Sequence, residues 1–356
     1  MLDGYVTAFF LFDIGDAISL QRVGDTINDS VPARLSTRQS TPTYLQYQQP
    51  PLIVDGAVVD AADIRGFRAR FKVFDYGVIS VALTRPLPDT WEQTLAAGLE
   101  WQEDAQLPVE AERLCRAFLD RVDGAVIRRR LTFLTEDYWV FAVTSGQDGV
   151  SAEDALTTHG TEIAQLLRGE RELLSLQERE ETLRHRLSYY SSDTVVATWS
   201  SALVIDTPVG APGVLEMLEY ANSQLLEFRY YDQRLDAELA SVYTGLQAGG
   251  WRDTLLSRRH ARAARKVHAL FIDVNELTDK VENALKIAGD VYAARLFALA
   301  ATRLGLDQWK ANVRDKLKTV DDIYRFAVEH SAMARGEFLE ATIVLLIVLE
   351  IVLALI

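Results

Sequence analysis

The sequence predicts an α+β protein with three parts: an N-terminal mixed α/β domain, a long antiparallel helical coiled-coil hairpin, and a C-terminal apolar helix of transmembrane type. Three observations predict it. Through Ile205, short β-branched and aromatic runs alternate with stretches of helical apolar spacing. From Pro212 onward, apolar residues recur in a 4-3 rhythm. The last sixteen residues, Ala341 to Ile356, carry one charged side chain, Glu350. The expected boundaries are 1–208, 209–337 and 338–356.

In the first part, Tyr5–Phe12 reads as a strand. No basic stretch precedes it and Asp3 and Asp13 flank it, so a signal peptide is not expected. Residues 28–51 are rich in Ser, Thr, Gln and Pro without periodicity, which predicts a loop or mobile arm. In Phe67–Phe74 the residues Phe67, Ala69, Phe71 and Val73 alternate with Arg68, Arg70 and Lys72, a strand pattern followed by a second strand at Val78–Leu83. Asp75-Tyr76-Gly77 between them is a tight turn or a bulge, with Gly77 supplying a positive φ. Thr90–Gln102 and Pro108–Asp120 have helical spacing. Ala125–Phe133 and Tyr138–Val143 read as a hairpin turning near Glu136-Asp137. Glu162–Leu187, dense in Glu and Arg, reads as one solvated helix, and Thr194–Ile205 as a buried strand or the start of a helix.

In the second part, Val214, Leu218, Ala221, Leu225, Phe228, Leu235, Leu239, Val242 and Leu246 keep the heptad rhythm, with Asp232 the one miss. Gly210-Ala-Pro-Gly213 is expected to start this helix. Gly249-Gly250 and Gly305 interrupt the rhythm, which predicts a hairpin and then a third helix carrying Trp309 and leading through Phe338 into the tail. A helix from Phe338 to the end would measure about 28 Å, close to the ~30 Å hydrocarbon core of a bilayer. The competing reading is a buried helix in a soluble oligomer. In either solvent Glu350 needs a partner, which points to self-association.

Composition narrows the function. A net charge of −14 argues against a general nucleic-acid binder. Cys115 is the only cysteine, so no disulfide framework or cysteine metal site is expected, and it is read as a small packed residue. The five histidines (His159, His185, His260, His268, His330) form no i, i+4 pair, and no phosphate-binding glycine loop or nucleophile elbow exists. No cofactor, metal or small-molecule substrate is therefore expected. Two features remain for binding or chemistry. Arg258, Arg259, Arg262, Arg265 and Lys266 form a basic cluster, suited to anionic lipid, RNA or the acidic face of a neighbouring helix (Glu227, Asp232, Asp236, Glu238). Asp75 and Tyr76 are a polar pair at a predicted sheet rim.

Several stretches resemble the "required for meiotic nuclear division" family, a family of unknown function. They are Val73-Phe74-Asp75-Tyr76-Gly77-Val78, Ser200-Ser-Ala-Leu, Leu225-Leu-Glu-Phe, the run from Ala269 to Leu277, the region around Trp309, and the tail with Glu350. The resemblance covers residue 50 to the end. It implies a membrane-associated, non-enzymatic protein, here a bacterial relative, and carries over no catalytic residue. The expectation is thus a homo-oligomeric scaffold or tether with its body on the cytoplasmic face of the membrane, held by the tail and by Glu350, Phe338 and Trp309. The alternatives are an RNA- or ribosome-associated factor using the basic cluster, and an enzyme with a site near Asp75 and Tyr76.

Overall fold

The computed structural model describes residues 2–27, 50–59, 64–144, 151–248 and 291–323, with single positions 272, 274, 325, 343, 344 and 347. The chain divides into two compact units, Met1–Phe228 with Lys280–Asp307, and Arg229–Asp279 with Gln308–Ile356. The protein is α+β, with a sheet-rich N-terminal part and several helices.

The first unit is built on strands β1 (Gly4–Asp13), β3 (Leu52–Asp55), β4 (Arg68–Val73), β5 (Val78–Pro86), β7 (Leu134–Thr144), β8 (Arg186–Leu187), β9 (Thr194–Ala197) and β10 (Ser201–Asp206). They form one eight-stranded sheet in the order β3-β4-β5-β1-β7-β10-β9-β8. β7 and β10 run parallel, and the other neighbours are antiparallel. A two-stranded ribbon pairs β2 (Ala17–Ile18) with β6 (Val126–Ile127). The helices are α1 (Leu20–Ile27), α2 (Trp91–Glu103), α3 (Gln106–Arg121), α4 (Ala152–Arg168), α5 (Leu176–Arg184), the first half of α6 (Ala211–Ala248), and α7 (Val291–Leu304).

Period-2 alternation gives the sheet two faces. On the first, Val6, Ala8, Phe10, Phe71, Val81, Leu83, Phe141 and Leu203 join one apolar core with Leu114 and Phe118 of α3 and Ile163 and Leu166 of α4. Phe71 stacks on Phe118 with ring centroids 4.7 Å apart. Gly98 lets α2 and α4 close up, because a Cβ there would lie 2.4 Å from a Leu166 methyl. Cys115 is buried in this core, packed as the sequence reading has it. Thr90 caps α2 by accepting from the Gln93 N–H at 3.2 Å.

Three elements depart from expectation. The hairpin expected between Ala125–Phe133 and Tyr138–Val143 does not form: Val126–Ile127 pairs with β2, and β7 runs through Glu136 and Asp137, paired to Leu11 and Phe10 of β1. Those two acids mimic a turn in the sequence because they sit at the less buried end of the strand. The helix expected over Glu162–Leu187 is interrupted at Gly169, which takes a left-handed φ of 69° and caps α4 before α5 begins. Thr194–Ile205 is two strands, because the Thr198 hydroxyl accepts from the Ser201 N–H at 3.0 Å and closes a turn.

In the second unit, the α6 residues from Arg229 and helical residues 308–323 are joined by Lys316, whose ammonium lies 2.8 Å from Asp232 and 2.7 Å from Asp236. Leu235, Val313, Leu317 and Val320 are buried. The heptad miss at Asp232 is thus matched by Lys316. Gly305, at φ 66°, makes the expected break before residue 306. Among the described residues, no helix is long and apolar enough to cross a membrane, so the C-terminal span finds no support. Of Phe338–Ile356 only Ile343, Val344 and Ile347 are described, and the arm at 28–49 lies outside the described residues.

Candidate functional site

The second face of the sheet is where polar chemistry gathers. Lys72 of β4 sits opposite Ser80 of β5, Ser80 opposite Leu11 of β1, and Leu11 opposite Glu136 of β7, so these four side chains share one row. The first half of α6 meets this face. Every residue from Gly213 to Phe228 is buried, although the stretch includes Glu216, Glu219, Asn222, Ser223, Gln224 and Glu227. Spacing of three and four places Glu216, Glu219, Ser223 and Glu227 on one stripe of the helix.

Lys72 inserts against that stripe. Its ammonium lies 2.5 Å from Glu219 and 3.8 Å from Glu216, and it is 3 % exposed. Burial pushes the Glu216 carboxyl above its ordinary range, with Glu219 adding to the rise and Lys72 opposing it. A second contact lies one turn on. The Gln224 amide donates to the Tyr76 hydroxyl at 3.1 Å, and the Ser223 hydroxyl donates to the Tyr220 carbonyl at 2.7 Å. The Tyr76 hydroxyl is therefore left to donate to Ser223 Oγ at 2.6 Å, which completes a directed chain. Full burial raises the Tyr76 phenol well above its usual value, so it stays a donor.

The turn that presents Tyr76 is fixed by backbone approach. Gly77 has φ 96°, and a Cβ on it would lie 2.0 Å from the Gly15 carbonyl. Ile14 N–H donates to the Gly77 carbonyl at 2.9 Å, and Ile18 N–H to the Asp75 carbonyl at 2.8 Å. Next to this clamp, Arg130 pairs with the buried Asp13 and with the Gly15 carbonyl, and reaches Asp16 at 3.1 Å. Burial pushes the Asp13 carboxyl up to about 7, against the pull of Arg130. Asp75-Tyr76-Gly77 is thus a tight turn, with Gly77 in the positive-φ role expected of it.

Neither of two open grooves on the first unit is lined by these residues. One of about 580 Å³ is lined by Thr157, Thr161, Arg179, Glu180 and Arg184 between α4 and α5. There Arg179 donates to Thr161 and Arg184 pairs with Glu181. The other, about 460 Å³, holds Arg65, Arg85, Trp101 and Arg171. Arg65 pairs with Asp104, Arg171 with Glu103, and Arg85 stacks on Trp101 at 4.6 Å. Among the described residues no group of His, Cys, Asp and Glu is placed to hold a metal. The chemistry available to the α6 cluster is to hold charge, hydrogen bonds and protons.

Of the site residues expected from sequence, Tyr76 enters this cluster and Asp75 lies in the same turn. Trp309 is half-buried in the second unit. Glu350, Phe338, Arg258, Arg259, Arg262, Arg265 and Lys266 lie outside the described residues. Sequence reasoning missed Lys72, Glu216, Glu219, Ser223 and Gln224. It set Lys72 with Arg68 and Arg70 on the polar side of β4, but Lys72 is buried there. The available signal was the Glu216-Glu219-Ser223-Glu227 stripe in a stretch that also carries Val214, Leu215, Met217, Leu218, Leu225 and Leu226.

The family described as uncharacterized protein MJ0711, N-terminal domain, matches residues 3–211. The chain belongs to that family. The uncharacterized protein MJ0711 of Methanocaldococcus jannaschii is 28% identical over 193 residues, 54% of this chain and 58% of that protein. The chain thus spans less than two thirds of that relative's length. No solved structure matches the chain. These matches overturn the resemblance to the "required for meiotic nuclear division" family, and the relative is archaeal rather than bacterial. The misleading stretches answer to local physics: Val73–Val78 is shaped by the Gly77 clamp, and Leu225–Phe228 by burial on a helix. Such requirements recur in unrelated families. The MJ0711 family match ends at Ala211, the first residue of α6.

Proposed function

We propose that the protein is a non-enzymatic scaffold whose sheet domain grips the root of a long helix, and that the helical part assembles copies of the chain. The carrying observation is the enclosed first half of α6. There Glu216 and Glu219 meet Lys72, and Ser223 and Gln224 meet Tyr76. A helix of 38 residues, about 57 Å long, is held this way over its first half. Beyond Phe228 the 4-3 rhythm and the Lys316–Asp232–Asp236 pairing support coiled-coil packing in an antiparallel hairpin. The domain reading of 1–208, 209–337 and 338–356 belongs to this proposal, as does the attachment of the apolar Ala341–Ile356 run, through Glu350, to another copy or to a bilayer.

Light scattering of the full chain over a concentration series tests the assembly. A homo-oligomer weakened by Leu235→Asp and by Leu317→Asp is expected, and a monomer at every concentration ends the reading. Flotation of the full chain with liposomes separates the two attachments of the tail: co-flotation supports the bilayer, while an oligomer that stays at the bottom supports the tail as an inter-subunit helix.

A further inference from the structure

We propose that the carboxylates buried at the root of α6 take up a proton on Glu216, and that this proton sets how tightly α6 is held on the sheet. The inference rests on the reading of α6 as the element the domain grips. Charge counting drives it. Glu216 and Glu219 are 5 % and 1 % exposed, whereas among the described residues Lys72 is the one ammonium placed against them. One ammonium balances one carboxylate, and at 2.5 Å that partner is Glu219. An ionised carboxylate removed from water without a matching charge costs several kcal/mol, and taking a proton avoids that cost. Glu216 Oε1, 3.8 Å from the ammonium, accepts no hydrogen bond among the described residues, and neither does Ser80 Oγ or Gln224 Oε1.

The groups around Glu216 agree with this assignment. β4 supplies Lys72 and, at its exposed edge, Arg70; the β4–β5 turn supplies Asp75 and Tyr76. β7 supplies Glu136 on the same row, while β1 and β5 supply uncharged Leu11 and Ser80. From α6 come Glu219, Tyr220 and Glu227. α7, packed on α6 through Phe297 and Tyr220, supplies Arg303 near Tyr138 of β7. Burial raises Glu216 above its ordinary 4.5. A group raised in the folded state contributes stability that is fully present below its unfolded value and is lost as pH climbs through the folded value. The grip on α6 therefore loosens as pH rises.

Amide hydrogen exchange over residues 211–228, read with thermal unfolding of the full chain from pH 5 to pH 9, tests it. The native protein should lose about tenfold in amide protection for each unit by which the carboxyl is raised. Glu216→Gln should flatten that slope and melt higher than the native chain at pH 8. The infrared C=O stretch of protonated carboxylic acid, followed from pH 5 to pH 9, should lose one component in Glu216→Gln, while the component of Asp13 remains in both chains. A slope unchanged by Glu216→Gln, a lower melting point at pH 8, or a protonated-acid band unchanged by Glu216→Gln overturns the proposal. Oligomer mass at pH 6 and pH 8 separates the two readings: a monomer that still shows the slope ends the assembly reading and leaves the proton in place.

Discussion

The two faces of the sheet are covered by helices for opposite reasons. On the first face α2, α3 and α4 are held by non-directional apolar burial, where any well-shaped side chain contributes. On the second, the root of α6 is held by directed contacts, an ammonium between carboxylates and a phenol in a donor chain. The first kind of contact gives stability, and the second fixes one position along the helix. Sliding α6 by a turn would strand Lys72 and Tyr76 without these partners.

Four substitutions can sharpen or break that contrast, from the largest expected effect to the smallest. Phe71→Ala removes the ring stacked on Phe118 and should cost about 4 kcal/mol in urea unfolding. A cost below Lys72→Met would make the polar face the main source of stability. Lys72→Met leaves the buried Glu219 carboxylate without its cation and should cost about 3 kcal/mol near neutral pH. Part of that loss should return in the double variant Lys72→Met, Glu219→Gln, so an additive pair would remove the ion pair from the argument. Tyr76→Phe deletes the hydroxyl between Ser223 and Gln224 and should cost about 1–2 kcal/mol, with hydrogen exchange rising in α6 more than in α3. Equal rises in both helices would mean that the second face carries no local role. Thr90→Ala removes only the α2 cap and should cost about 1 kcal/mol by thermal melting, with no change in α6 exchange.

Much of the first unit was legible from residue patterns because its signals are local. The alternation of Phe67, Ala69, Phe71 and Val73 gives β4, and Gly77 marks the turn, since only glycine tolerates the approach of Gly15. Helices α2 and α3 followed from apolar spacing. Where expectation failed, a local signal was overruled by burial. Glu136 and Asp137 look like a turn but are carried inside β7 by pairing to β1, and Glu-rich Glu162–Leu187 hides the stop at Gly169. The buried cluster was the least legible part. A lysine in an alternating strand and glutamates on a helix read as solvated by default, and here their desolvation is offset by one another across 144 to 147 residues of sequence.

By itself, the sequence determined the α+β class, the strands and helices with strong period, the glycine turn after Tyr76 and the lack of any recognisable catalytic or phosphate-binding motif. Those properties depend on neighbours along the chain, where sterics and spacing act directly. The tertiary structure alone decided that β7 joins β1 to β10, that the first half of α6 is enclosed, and that Lys72, Tyr76, Glu216 and Glu219 meet. Such meetings depend on which faces are brought together in space, and a charge shows itself as buried only once its partner has arrived.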